Sequence, residues 1–347
     1  MKKIVRLFMF SFLLIGCSSN EDYEEPIEDI DNLAWSRPTN FPEPTYPFIN
    51  NDLKHSRFEL GKKLFHDSRF SQDNTVSCAS CHIKSAAFAD AGKPLSVGID
   101  GQLGKRNAPA IQNMAFIDEY FYDGASNNLE MVPIVPIYNE LEMRGDIPII
   151  LDKLRLDIDY QKLFKKAYND DKMTSTNMMK ALAQYMALLV SSNSKYDKYV
   201  RNELGGTLNE QEKRGLELFR QNCAACHKGD LFTDVSFRNN GVPVNPLVND
   251  KGREEVSGLE EDRYKFKVST VRNIALTAPY MHDGSLATLE AVLDFYSSGM
   301  KDSPTLDPLF KKSGGAVGIP MTTDEKKAII AFLHTLTDYE FINNPKF

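Results

Sequence analysis

The pattern Cys-x-x-Cys-His occurs twice, at Cys78-Ala79-Ser80-Cys81-His82 and at Cys223-Ala224-Ala225-Cys226-His227. This spacing is the attachment signature of a c-type haem. Two thiols about one helical turn apart can each add to a vinyl group of the macrocycle, and the adjacent histidine then ligates iron from below. Each motif therefore obliges the chain to fold around a large flat cofactor. The cysteines are fully used: four belong to the motifs, and the fifth is Cys17 near the N-terminus. A four-cysteine zinc site or two local disulfides would also consume four thiols. Neither needs a histidine directly after the second cysteine, twice over.

The 347 residues suit roughly two domains at about 150 residues each. A hydrophobic fraction of 42% is modest, but two haems would add apolar surface that composition does not count. The net charge of −7 makes nucleic acid an unfavourable partner. Beyond the N-terminus no run of about 20 apolar residues suggests a membrane span.

Residues 1–17 read as an export signal, with Lys2, Lys3 and Arg6 followed by the apolar run Leu7 to Ile15. Leu14-Ile15-Gly16-Cys17 resembles a bacterial lipoprotein box. The expectation is an exported protein, periplasmic or anchored at the outer membrane through lipid on Cys17, with the lipid as its only membrane contact. Residues 18–48 are first acidic and then proline-rich, with Pro38, Pro42, Pro44 and Pro47. That composition predicts a disordered tether.

Similar segments lead to the two motifs. Phe58-Glu59-Leu60-Gly61-Lys62-Lys63-Leu64-Phe65 precedes the first, and Glu212-Lys213-Arg214-Gly215-Leu216-Glu217-Leu218-Phe219 precedes the second. Both place a glycine among apolar residues at helical spacing. Met178, Met179, Leu182, Tyr185, Met186 and Leu189 form another helical stripe. Thr322 with Glu325, and Thr207 with Glu210, read as capping boxes. The expected fold is mostly α: two cytochrome c-like haem domains with long loops, 49–200 and 201–347, related by internal duplication. Leu289, Val292, Leu293 and Tyr296 fall at i, i+3, i+4 and i+7, so Tyr296 faces inward with the apolar stripe of a helix.

Across about residues 50–345 the chain resembles the bacterial di-haem cytochrome c peroxidases and their relative MauG. The resemblance rests on Leu64-Phe65-His66-Asp67-Ser68-Arg69-Phe70-Ser71, Ser96-Val97-Gly98, Gly104-Lys105-Arg106-Asn107-Ala108-Pro109, Tyr122-Asp123-Gly124, Glu142-Met143 and Pro279-Tyr280-Met281-His282-Asp283-Gly284. It implies that the N-terminal haem meets hydrogen peroxide and the C-terminal haem stores electrons. Family members often place a distal histidine after Ser-x-Gly, where this chain has Ile99. The first haem is therefore expected to keep an open position, with Asp100 and Met114 as alternative ligands. The resemblance implies Tyr296 as the second ligand of the C-terminal iron, with Met300 as the fallback. It implies Glu142 as the acid/base for peroxide, with Glu140 as the neighbouring alternative.

Tyr122 stands where relatives commonly carry a bridging tryptophan, and is the implied electron relay between the haems. A calcium ion held by Asn107 and by the carbonyls of Thr277 and Pro279 is implied as well. So is a small electron-donor protein, a cytochrome c or a cupredoxin, and homodimers are common among relatives. His55 and His66 are expected at the surface, His334 on the final helix, and His282 as an anchor of its turn or a haem contact. Three activities fit these residues: a peroxidase, a MauG-like oxidase acting on a protein or organic substrate, and a di-haem electron carrier without catalysis.

Overall fold

The computed structural model describes residues 31–169, 172–246 and 248–347. The leader, Cys17 and the first part of the expected tether lie outside the described residues.

Two glycines fix how the helices cross. Gly61 lies in the helix His55–Phe65, which packs against Ser175–Leu188. A β-carbon at Gly61 would stand 2.0 Å from the carbonyl oxygen of Ala181. Gly215 lies in Glu210–Asn222, which packs against Thr323–His334. A β-carbon there would stand 1.9 Å from the carbonyl oxygen of Ala328. Only a residue without a side chain lets two backbones come this close. Each half is thus a crossed helix pair that delivers the chain to its Cys-x-x-Cys-His motif.

The expected stripe is buried throughout, from Met178 to Leu189. The box of Thr322 and Glu325 caps its helix as read. The cap ahead of the second motif is Asn209 with Glu212, not Thr207 with Glu210. Asparagine competes equally well for the free N–H groups, and the first turn begins two residues later. Strand structure among the described residues is limited to Phe237–Arg238 paired antiparallel with Phe266–Lys267. The mostly helical expectation holds.

The first core gathers residues between Phe41 and Leu189, and the second runs from Tyr196 to Leu336. The cores therefore change a few residues before the expected division near Tyr199. Phe341 returns to the first core, so the C-terminal tail straps the N-terminal half. The two halves meet along buried polar contacts. Gln112 of the first half donates to the Arg272 carbonyl at 2.8 Å, while the Arg272 side chain pairs within the second half with Asp197, both fully buried. Asn273 donates to Ser191 Oγ at 2.9 Å.

The tether prediction is corrected over residues 31–48. Phe41 and Tyr46 are buried in the first core. The Trp35 ring lies tilted against Phe48 at 5.2 Å and Phe116 at 6.1 Å. Asp31 accepts from the backbone N–H of Ser56 at 2.8 Å. The prolines hold an extended path on which spaced aromatics reach the core, a pattern that composition alone does not reveal.

Candidate active site

Both motifs open onto one cavity of about 730 Å³, near the upper end for ligand sites. Its wall includes Cys78, Cys81, His82, Asn107, Tyr122 and Glu142 from the first half. From the second it includes Cys223, Cys226, His227, Thr277, Pro279 and Tyr296. Residues far apart in the chain therefore converge on a single space.

The histidines are oriented alike. Nδ1 of His82 lies 2.9 Å from the carbonyl oxygen of Phe88, and Nδ1 of His227 lies 3.2 Å from that of Phe232. A carbonyl only accepts, so Nδ1 carries the proton and Nε2 keeps its lone pair for iron. Burial lowers the pKa of both rings, favouring the neutral form that ligates. Phe88 and Phe232 sit in the left-handed region at φ 60° and 53°. That conformation is costly for a bulky residue and is held by its surroundings.

All four motif cysteines are free. Burial pushes the Cys78 and Cys223 thiols up to about 12 and Cys81 up to about 11. Among the described residues no group of three or more His, Cys, Asp or Glu could hold a metal, so the zinc reading fails.

Glu142 belongs to the first motif, close enough to influence Cys81 electrostatically. Burial raises its carboxyl pKa, while the Asn139 amide donates to it at 3.0 Å. Glu140 is exposed and pairs with Arg144 at 3.1 Å. Ile99 is buried but absent from the cavity wall, and its N–H donates to the Glu142 carbonyl at 2.9 Å. Of its alternatives, Asp100 pairs with Arg144 outside the cavity, whereas Met114 lines it.

Tyr296 belongs to the second motif, whose cysteines influence it. Burial raises its phenol to about 12 against a hydrogen bond from Asn240, at 3.1 Å. The helix Leu289–Asp294 widens into a π-helical turn at Phe295–Gly299, a distortion often found at functional sites. Met300 leaves that turn in an extended conformation and packs with Phe295, Leu306 and Phe310. It does not line the cavity, which corrects the fallback assignment. A sulfur that does line it beside Tyr296 is that of Met281, at φ 74°, with Sδ 3.5 Å from the same Asn240 amide. Asn240 and Met281 were missed by sequence reasoning. Only the motif around Met281 offered a signal.

Tyr122 is held where the halves meet. Its carbonyl accepts from the Lys267 N–H at 2.6 Å, and burial raises its phenol to about 12 against a hydrogen bond with Ser269. Arg106 spans the same junction, bonding Asp123 at 2.5 Å and Asp250 at 2.5 Å. His282 stacks on Phe266 at 3.7 Å, and its carbonyl accepts from Asn107 at 2.8 Å. It anchors its turn, while His55 and His66 are exposed as expected, and His334 is exposed as well.

A sequence profile described as di-haem cytochrome c peroxidase matches residues 55–205. The chain is 30% identical over 319 residues to the methylamine utilization protein MauG of Methylophilus methylotrophus, covering 88% of this chain and 91% of that one. It is 36% identical over 282 residues to the cytochrome c551 peroxidase of Nitrosomonas europaea, covering 80% and 79%. This chain belongs to the di-haem cytochrome c peroxidase and MauG family. A crystal structure of a MauG-like protein associated with microbial copper homeostasis superposes with a TM-score of 0.79 at 32% identity, covering 91% of this chain and 98% of that one. Membership implies two c-type haems, and the residues present fit them: free thiol pairs, neutral histidines with Nε2 available, and a cavity reaching both motifs.

Proposed function

We propose that this family member reduces hydrogen peroxide to two waters, consuming two protons and two electrons. Glu142 carries the reading: a half-buried carboxyl on the cavity wall beside Cys81, fixed by Asn139 and raised above the ordinary carboxylate range. In its ionised form it takes a proton from one peroxide oxygen and returns it to the other. Haem bound at each motif supplies the redox chemistry, the His82 side acting on peroxide and the His227 side taking electrons from a small cytochrome c or cupredoxin. Tyr122 lies on the route between the halves, and its phenolic proton has Ser269 as neighbour. Arg106 binds the halves together at the junction.

A MauG-like oxidase is the second reading, supported by Tyr296 on the cavity wall within reach of the second motif's cysteines. A calcium ion fits the same junction. Asn107 Nδ2 is spent on the Lys93 carbonyl at 2.9 Å. Among the described residues none donates to the Thr277 or Pro279 carbonyls, which line the cavity. Export as a lipoprotein through Cys17 and descent from a duplicated haem domain complete the proposal. The deciding experiment is steady-state turnover with peroxide and a reduced cytochrome, started from fully oxidised protein. Immediate turnover is expected. A lag abolished by pre-reduction would show that a protein ligand closes the first site, and turnover only of an organic substrate would favour the oxidase.

A further inference from the structure

Five lysine and arginine side chains line the cavity: Lys105, Arg106, Arg238, Lys267 and Arg272. Four have carboxylate partners. Lys105 meets Glu255 at 3.9 Å, Arg106 meets Asp123 and Asp250, Arg238 meets Asp307 at 2.8 Å, and Arg272 is paired with Asp197. Lys267 has none: among the described residues no carboxylate oxygen lies within 4.0 Å of its ammonium. The acid whose field it feels, Glu119, stands beyond that reach.

The backbone gives Lys267 little freedom to look elsewhere. Its N–H is held by the Tyr122 carbonyl at 2.6 Å, and the residue pairs with Phe237 across the short antiparallel ladder. Lys267, Val268 and Ser269 all line the cavity, so this whole stretch of extended chain forms part of its wall. Ser269 also stands beside the His227 ring and the Tyr122 phenol. The ammonium is therefore presented to the cavity at the junction of the halves.

A cation on a low-dielectric wall is costly without a counter-charge. Burial lowers Lys267 to about 8 against the opposing field of Glu119. The cofactor brings the missing partner, because each haem carries two propionates. We infer that Lys267 is the counter-ion of a propionate of the His227 haem, and that its charge raises the reduction potential of that haem. A fixed positive charge favours the iron state that has gained an electron. The inference rests on both motifs holding haem, not on which substrate the protein turns over.

The test uses the di-haem holoprotein, with haem content verified by pyridine haemochrome and each haem followed by spectroelectrochemical titration. Lys267→Met should disfavour reduction of the His227 haem about tenfold, equivalent to about 59 mV for a one-electron couple. The His82 haem should stay near its original midpoint, and Lys267→Arg should restore the His227 value. Unchanged midpoints in Lys267→Met, or a shift confined to the His82 haem, would overturn the inference. So would loss of the His227 shift when Lys267→Met is combined with Glu119→Gln, because the lysine would then be acting only by answering that carboxylate. If Lys267→Met does not hold two haems, the propionate-bending band in resonance Raman of Lys267→Arg decides. A displaced band supports the pairing, and an unmoved band overturns it.

Discussion

In the first half the Phe65 ring stands 6.3 Å from His82 at 46°, and in the second the Phe219 ring stands 6.3 Å from His227 at 46°. A left-handed phenylalanine carbonyl holds each Nδ1, and a glycine crossing brings each helix pair together. The histidine sides of the two sites are thus built from one plan. The other walls differ. The first site has a carboxyl, Glu142, fixed by an amide. The second has a phenol, Tyr296, and a thioether, Met281, sharing the Asn240 amide. A carboxyl can move a proton, whereas a phenol or thioether can occupy a metal position. The shared plan suits two like cofactors, and the unshared walls offer each site different chemistry.

The largest expected effect breaks the pair at the first site. Glu142→Gln should lower peroxide turnover by about 10²–10⁴ with both haems retained. Burial raises the Glu142 pKa, and the base must be ionised. Wild-type turnover should therefore fall as pH drops through a limb above the ordinary carboxylate range, and the variant should lack that limb in a pH–rate profile. Full activity in Glu142→Gln would place the reactive site elsewhere.

The next test asks whether the shared plan is equally demanding in both halves. Gly61→Ala and Gly215→Ala each force a methyl against a carbonyl oxygen, so each should cost about 1–3 kcal/mol or more. Thermal unfolding of the two holoproteins should show similar losses. A large loss in one half alone would show that the crossings are not equivalent.

The smallest effect sharpens the difference at the second site. Tyr296→Phe should alter the absorption and paramagnetic resonance spectra of the His227 haem only, leaving stability within about 1 kcal/mol apart from the lost Asn240 hydrogen bond. An unchanged spectrum would turn attention to Met281, and Met281→Leu would then be the informative variant.

Much of the site was readable in the chain because its chemistry is local. Cys-x-x-Cys-His needs only neighbouring residues, and the inward face of Tyr296 followed from helical spacing, whereas its place as a ligand rested on the resemblance. Gly61 and Gly215 were visible as a repeated feature, although their reason, contact with Ala181 and Ala328, lies far along the chain. Met300 was misplaced because a π-helical turn, which spacing in the chain does not announce, carries it to Phe295, Leu306 and Phe310. The segment 31–48 was read as a tether because composition hides the burial of Phe41 and Tyr46.

The sequence by itself determined two haem attachment motifs, a largely helical chain and membership of its family, because covalent chemistry and helical periodicity act over a few residues. The tertiary structure decided what those motifs face. Asn240 reaches both Tyr296 and Met281, Arg106 joins the halves, and Lys267 is left without a carboxylate. Such relations depend on how distant loops close around one cavity, where burial determines whether a charge or hydrogen-bonding group finds a partner.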